Sequence, residues 1–137
     1  MQEWRRLLAN GLLMANRLVS SDWLTSPTRR ASALVFAPHP DDEVLGCGGI
    51  ISLKVQAAAR IKVIVMTDGR ASHRALIAED KLVRIRRAEA EEAARRLGLT
   101  AADYEFLDFE DHRLQEYHDA ASDRVFEIID RFKPEEI

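Results

Sequence analysis

The stretch "ALVFAPHPDDEVLGCGGII", residues 33–51, decides the fold. A continuous apolar run, Ala33–Ala37, ends in His39, Pro40 and three consecutive carboxylates, Asp41, Asp42 and Glu43, with a glycine-rich segment behind them. An unbroken apolar run of this length predicts a strand buried on both faces, as in a parallel sheet flanked by helices. Pro40 disfavours helical geometry at His39 and holds it extended. The chain must then turn sharply into a helix expected over 44–60. In an open parallel sheet, ligands bind beyond the carboxyl ends of the strands, so the acidic turn lies where such a fold puts its chemistry.

Outward from this stretch the pattern alternates. Ile61–Gly69 reads as a second buried strand closed by a turn, and a long helix covers 76–97 with Gly98 at its C-cap. Tyr104–Phe109 reads as a third strand and 119–132 as another helix, carrying Val125, Phe126, Ile128 and Ile129. Strands alternating with helices predict an α/β domain, Rossmann-like and doubly wound, with a mainly parallel sheet and helices on both faces. That domain is assigned to 31–137. Residues 1–30 read as an N-terminal helix and linker, with Trp4, Leu7, Leu8, Leu12, Ala15, Leu18 and Val19 near helical spacing. Such an amphipathic helix packs on its own domain or on a second subunit more readily than on a membrane surface. The ending "RFKPEEI" reads as a helix exit leading into a fourth strand. Three parallel strands alone leave an apolar edge unpaired, so the chain is expected to hold about the first half of a longer domain.

Composition narrows the function classes. The 137 residues are 47% apolar and 31% charged, as in soluble globular proteins, with a net charge of −3 and no basic patch for nucleic acid. No apolar run approaches the roughly 20 residues of a membrane span. A single cysteine, Cys47, forbids an internal disulfide and suits a cytoplasmic location.

The acidic turn has the residue types of a metal site. His39 and Asp42, three apart, can converge on one point with Asp41 alongside. An imidazole and a carboxylate are a normal partial ligand set for zinc, which holds N and O donors at about 2.0–2.2 Å. A carboxylate beside the metal can act as general base on a metal-bound water. Acids at a helix start also cap free N–H groups and favour the dipole, which accounts for one or two of the three, Glu43 first. It does not account for His-Pro ahead of paired aspartates.

The segment "APHPDDEVLGCGG" resembles the signature of the PIG-L/LmbE-like family, zinc-dependent deacetylases of N-acetylglucosamine-type sugars. The resemblance continues through "VIVMTDG", "RRAEAEEAARRLG" and "FLDFEDHRL", from residue 33 to the C-terminus. It implies that His39 and Asp42 bind zinc, that Asp41 is the general base, and that the reaction is hydrolysis of the N-acetyl group of an amino sugar. It also implies a third ligand, a histidine in a second motif further along, and no matching histidine-aspartate motif occurs here. His73, His112 and His118 stand outside that context and read as loop or surface residues.

On the long helix, Leu82, Ile85, Ala90, Ala93 and Leu97 form one face at 100° per residue, and Arg86 and Glu89 fall inside it. Arg84, Arg87, Glu91 and Arg95 project to the other side. A charge on an inner face is costly without a partner: Arg86 either bridges to Glu89 or reaches a crevice to grip a sugar. The resemblance places a substrate-contacting arginine at this position and Asp111 near the substrate, although Asp111 also suits a turn cap. Gly46, Gly48 and Gly49 fit no phosphate loop and are expected to allow close packing of the first helix or room for substrate. Cys47 is expected to be a small buried residue. Two alternatives stay open, a truncated non-catalytic remnant of the family and a magnesium-binding phospho-receiver. The second would need a phosphorylatable aspartate ending the third strand, for which Asp108 is the candidate.

Overall fold

The structure, a computed structural model, describes residues 27–72 and 76–137. Strands β1 (Ala33–Ala37), β2 (Ile61–Thr67) and β3 (Tyr104–Phe109) alternate with helices α1 (Asp42–Gln56), α2 (Glu79–Leu97) and α3 (His118–Phe132). The three strands form one parallel sheet in the order β1-β2-β3, with Val35 opposite Val63 and Val65 opposite Phe106. The expected N-terminal helix lies outside the described residues, and so does His73.

Successive side chains of a strand point to opposite faces, and the core divides accordingly. Ile51 of α1 and Ala94 of α2 pack with Ile61, Val63 and Leu99 on one face. Ile128 of α3 packs with Leu34 and Ile64 on the other. The chain therefore crosses the sheet after β3 and returns to the far side of β1. There Glu136 makes a parallel bridge to Ala33: Leu34 N–H donates to Glu136 O and Glu136 N–H to Ser32 O, both at 3.0 Å. Strand order thus reverses at β1, which makes the turn after β1 the topological switch point, where such sheets bind ligands. Lys54, buried in α1, fixes this return through Glu136 at 2.7 Å and the Ala31 carbonyl at 2.9 Å.

Several boundaries and faces differ from expectation. The first helix spans Asp42–Gln56 rather than 44–60, because Ala58 adopts a left-handed conformation (φ 55°) and its N–H closes on Val55 O. An alanine ends this helix, so no glycine announced the stop. The second begins at Glu79 and ends at Gly98, whose φ of 87° and position against Val55 suit only glycine. On α2, Leu82, Ala90 and Ala94 are buried and Arg86 is half-buried, but Glu89 is exposed rather than on the inner face. Arg87 turns toward the sheet instead of away, its guanidinium 4.0 Å above the Phe106 ring. Gly46 and Gly49 do not serve close packing: a Cβ added at either would meet nothing within 4 Å. Cys47, expected to be buried, packs only half-buried against the Ile51 cluster.

Candidate metal and base centre

The strand ends are levelled by hydrogen bonds across the sheet. Thr67 donates to Pro38 O through both its N–H (3.1 Å) and its hydroxyl (2.7 Å), and Asp68 N–H donates to Phe109 O (3.0 Å). His39, Asp68 and Asp111 thereby meet at one end of the sheet. Gly69 (φ 67°) follows at the β2 exit, where an added Cβ would lie 3.1 Å from Pro40 Cδ. Glycine lets the β2 turn pass under the His-Pro turn of β1.

His39 stands between two carboxylates. Its Nδ1 lies 3.1 Å from Asp42 Oδ2, and its Nε2 lies 3.1 Å from Asp111 Oδ1. Its backbone N–H also donates to Asp42 Oδ2 (3.0 Å), so the ring and its carboxylate neighbour are fixed together. Asp111 is buried and fully engaged: Oδ1 also accepts from His112 N–H (2.8 Å) and Oδ2 from Ala71 N–H (3.2 Å). Behind it, Asp68 accepts from Asp111 N–H (3.3 Å) and pairs with Arg70 (2.6 Å). That hydrogen bond raises the Arg70 guanidinium further above its already high value.

Asp41, next in the turn, has φ 148° and ψ −24°, outside the regions open to L-residues. Its carboxylate accepts from Arg86 Nη1 at 3.2 Å, whereas Glu89 lies 3.9 Å from the same nitrogen. Arg86 therefore reaches the crevice, and the helix-internal bridge is the weaker contact. A cavity of about 260 Å³ opens here, lined by His39, Asp41, Gly69, Arg86, Asp111 and His112 among others. A cavity of about 580 Å³ lies elsewhere, between α2 and β3, and none of the residues expected at the site lines it. The smaller cavity is where His39, Asp41, Arg86 and Asp111 converge.

Among the described residues, no three His, Cys, Asp or Glu side chains form a metal-binding group. The pair His39 Nδ1 and Asp42 Oδ2 nevertheless fits zinc as two of its donors. For donors about 2.0–2.1 Å from a tetrahedral ion, a separation of somewhat over 3 Å is expected, close to the spacing here. With its proton on Nε2, His39 would make to Asp111 the kind of outer hydrogen bond that metal-ligating histidines usually make. His112 lines the same cavity, while His118 is exposed on α3 beside Asp119, away from it. Asp108 is bound by Arg87 at 2.5 Å and does not join the cluster. Sequence reasoning gave Glu43 only a helix-start role, whereas its buried carboxylate joins Asp41 to Tyr104. A tyrosine opening a predicted strand was the only signal available.

Residues 34–137 match the family described as PIG-L, GlcNAc-PI de-N-acetylase. The chain belongs to this family. Membership removes the phospho-receiver alternative. Among solved structures of similar fold is GalB, the 4-carboxy-2-hydroxymuconate hydratase of Pseudomonas putida KT2440, with TM-score 0.66 and 29% identity over 76% of this chain. Another is the N,N'-diacetylchitobiose deacetylase of Pyrococcus horikoshii, with TM-score 0.57 and 31% identity over 75% of this chain. This PIG-L chain spans 44% and 39% of those two proteins. A search of curated proteins gives no match.

Proposed function

We propose that the turn after β1 is the metal- and base-bearing part of an N-deacetylase site acting on an N-acetyl amino sugar. One observation carries the reading: His39 and Asp42 converge on a single point while Asp41, beside them, is turned to Arg86 in the crevice. Family membership and the chitobiose deacetylase likeness support the reaction class.

The cofactor would be zinc, held by His39, Asp42 and a further donor; when bound it supplies a Lewis acid that polarises the amide carbonyl and acidifies water. Asp41 takes the proton as water adds to the carbonyl carbon. The C–N bond then breaks, and the proton goes to the leaving amine, giving acetate and an amino sugar. Arg86 restrains Asp41 before substrate arrives and, with Asp111, faces the space a sugar would fill. Asp111 also keeps the His39 ring in place.

In the metal-loaded protein, Asp41→Asn should lower acetate release from N,N'-diacetylchitobiose by about 10²–10⁴-fold, the range of a lost general base. Metal content should be unchanged; retained activity would sink the base assignment. Zinc stoichiometry beside His39→Ala tests the ligand assignment, and weak binding by the unsubstituted chain means that the further donor lies outside it. A second reading, water addition to a carbon–carbon double bond, is favoured by the likeness to the hydratase. It uses the same base and is separated by the product: loss of the conjugated alkene absorbance of a muconate-type probe, with no acetate released.

A further inference from the structure

Glu43 is the carboxylate of the turn that the deacetylase reading leaves without a role, and it is 1% exposed. A helix-start acid that only favours the dipole would stay in water. Glu43 is instead tied at both oxygens: Oε1 accepts from the Tyr104 hydroxyl at 2.6 Å and Oε2 from the Asp41 N–H at 3.2 Å. Tyr104 opens β3, so this bridge links the catalytic turn to the far strand of the sheet. Burial first, then the carboxylate beside it, pushes the phenol up, so it stays a hydrogen-bond donor. A backbone like that of Asp41 is strained and persists only where its surroundings over-determine it. Four hydrogen bonds do so here. Asp41 O accepts the first helical bonds from Val44 and Leu45 at 3.0 Å, Arg86 holds the side chain, and Glu43 holds the N–H.

We propose that Glu43, anchored by Tyr104, is the positioning residue that keeps Asp41 in its strained backbone conformation and so aims its carboxylate into the crevice. The value of that aim rests on Asp41 being the base; the tether itself does not. Amide hydrogen exchange at Asp41, resolved by NMR in the whole chain, reads the tether directly. A hydrogen bond to a charged group is worth enough that Glu43→Ala should speed Asp41 exchange by at least about tenfold. Glu43→Gln, whose amide oxygen can still accept the N–H but without the charge, should speed it by less, about two- to fivefold. Tyr104→Phe, which frees one end of the bridge, should fall between them, with Val63–Val65 amides unchanged in all three. Equal exchange in every variant, or Gln as fast as Ala, overturns the tether. Should Glu43→Ala fail to fold, the Gln and Phe variants decide it. In the metal-loaded protein, turnover should fall in Glu43→Ala at unchanged KM and return in Glu43→Gln; full turnover despite lost protection overturns the positioning role. An inactive unsubstituted protein bears on the deacetylase reading alone, because the exchange result stands without it.

Discussion

Asp111 shows how one residue's role depends on both of its oxygens. The resemblance put it near substrate, but its buried carboxylate is already occupied by His39 Nε2 and two backbone N–H groups. Outer hydrogen-bond partners of metal-ligating histidines typically contribute about 10–100-fold to metal affinity. Asp111→Ala should therefore weaken zinc binding by about 10–100-fold in competition with a chromophoric chelator. Unchanged zinc affinity with a raised KM would instead make Asp111 a sugar contact. The grouping of His39, Asp41 and Asp42 in one turn was legible from sequence because strand end and proline are local signals, while Arg86 was left between two partners. The tie made by Glu43 was not legible, since its partner Tyr104 lies 61 positions away and only the fold brings the two together.

Helix α2 illustrates what periodicity does and does not decide. Its buried face formed as expected at Leu82 and Ala90, yet Arg87 and Glu89 exchanged sides relative to the expectation. The Phe106 ring and Asp108 lie beside α2 and draw the Arg87 guanidinium inward; a one-dimensional pattern cannot contain that neighbour. The last turns carry a local charge cluster: Glu92 accepts from Arg95 and Arg96, each at 2.8 Å. These hydrogen bonds, Arg95 first, hold the Glu92 carboxyl at about 2. The folded value lies below the unfolded one, so the contribution is present above about pH 4.5 and is lost as pH falls toward about 2. Glu92→Gln should lower the urea midpoint slightly at pH 7, as expected for an exposed pair. The difference from the unsubstituted protein should vanish over that acid window; a gap that persists at pH 2 would mean that packing, not charge, is involved.

At the scale of the whole molecule, the return of the chain to β1 rests on a few polar contacts. Glu136 is about one-third exposed while its partner Lys54 is almost fully buried. Ser32 adds bonds to Glu135, and the first of these, from the Ser32 backbone N–H, holds the Glu135 carboxyl below its ordinary value. Glu136→Ala would leave the Lys54 ammonium with carbonyl partners alone. It should cost about 1–3 kcal/mol in urea unfolding, less than a fully buried pair because Glu136 already meets water. Glu136→Gln should recover part of that loss, and no loss in either variant would show that the bridge adds nothing. The sequence by itself determined the alternation of strands and helices, the parallel sheet and the place of the acidic turn after β1. Those features follow from local hydrophobic period and from proline and glycine geometry. Only the tertiary structure decided that Asp111 braces His39, that Arg86 turns to Asp41, that Glu43 ties Asp41 to β3, and that the chain returns beside β1. Each of these depends on residues far apart in the chain that only the fold brings within hydrogen-bond reach.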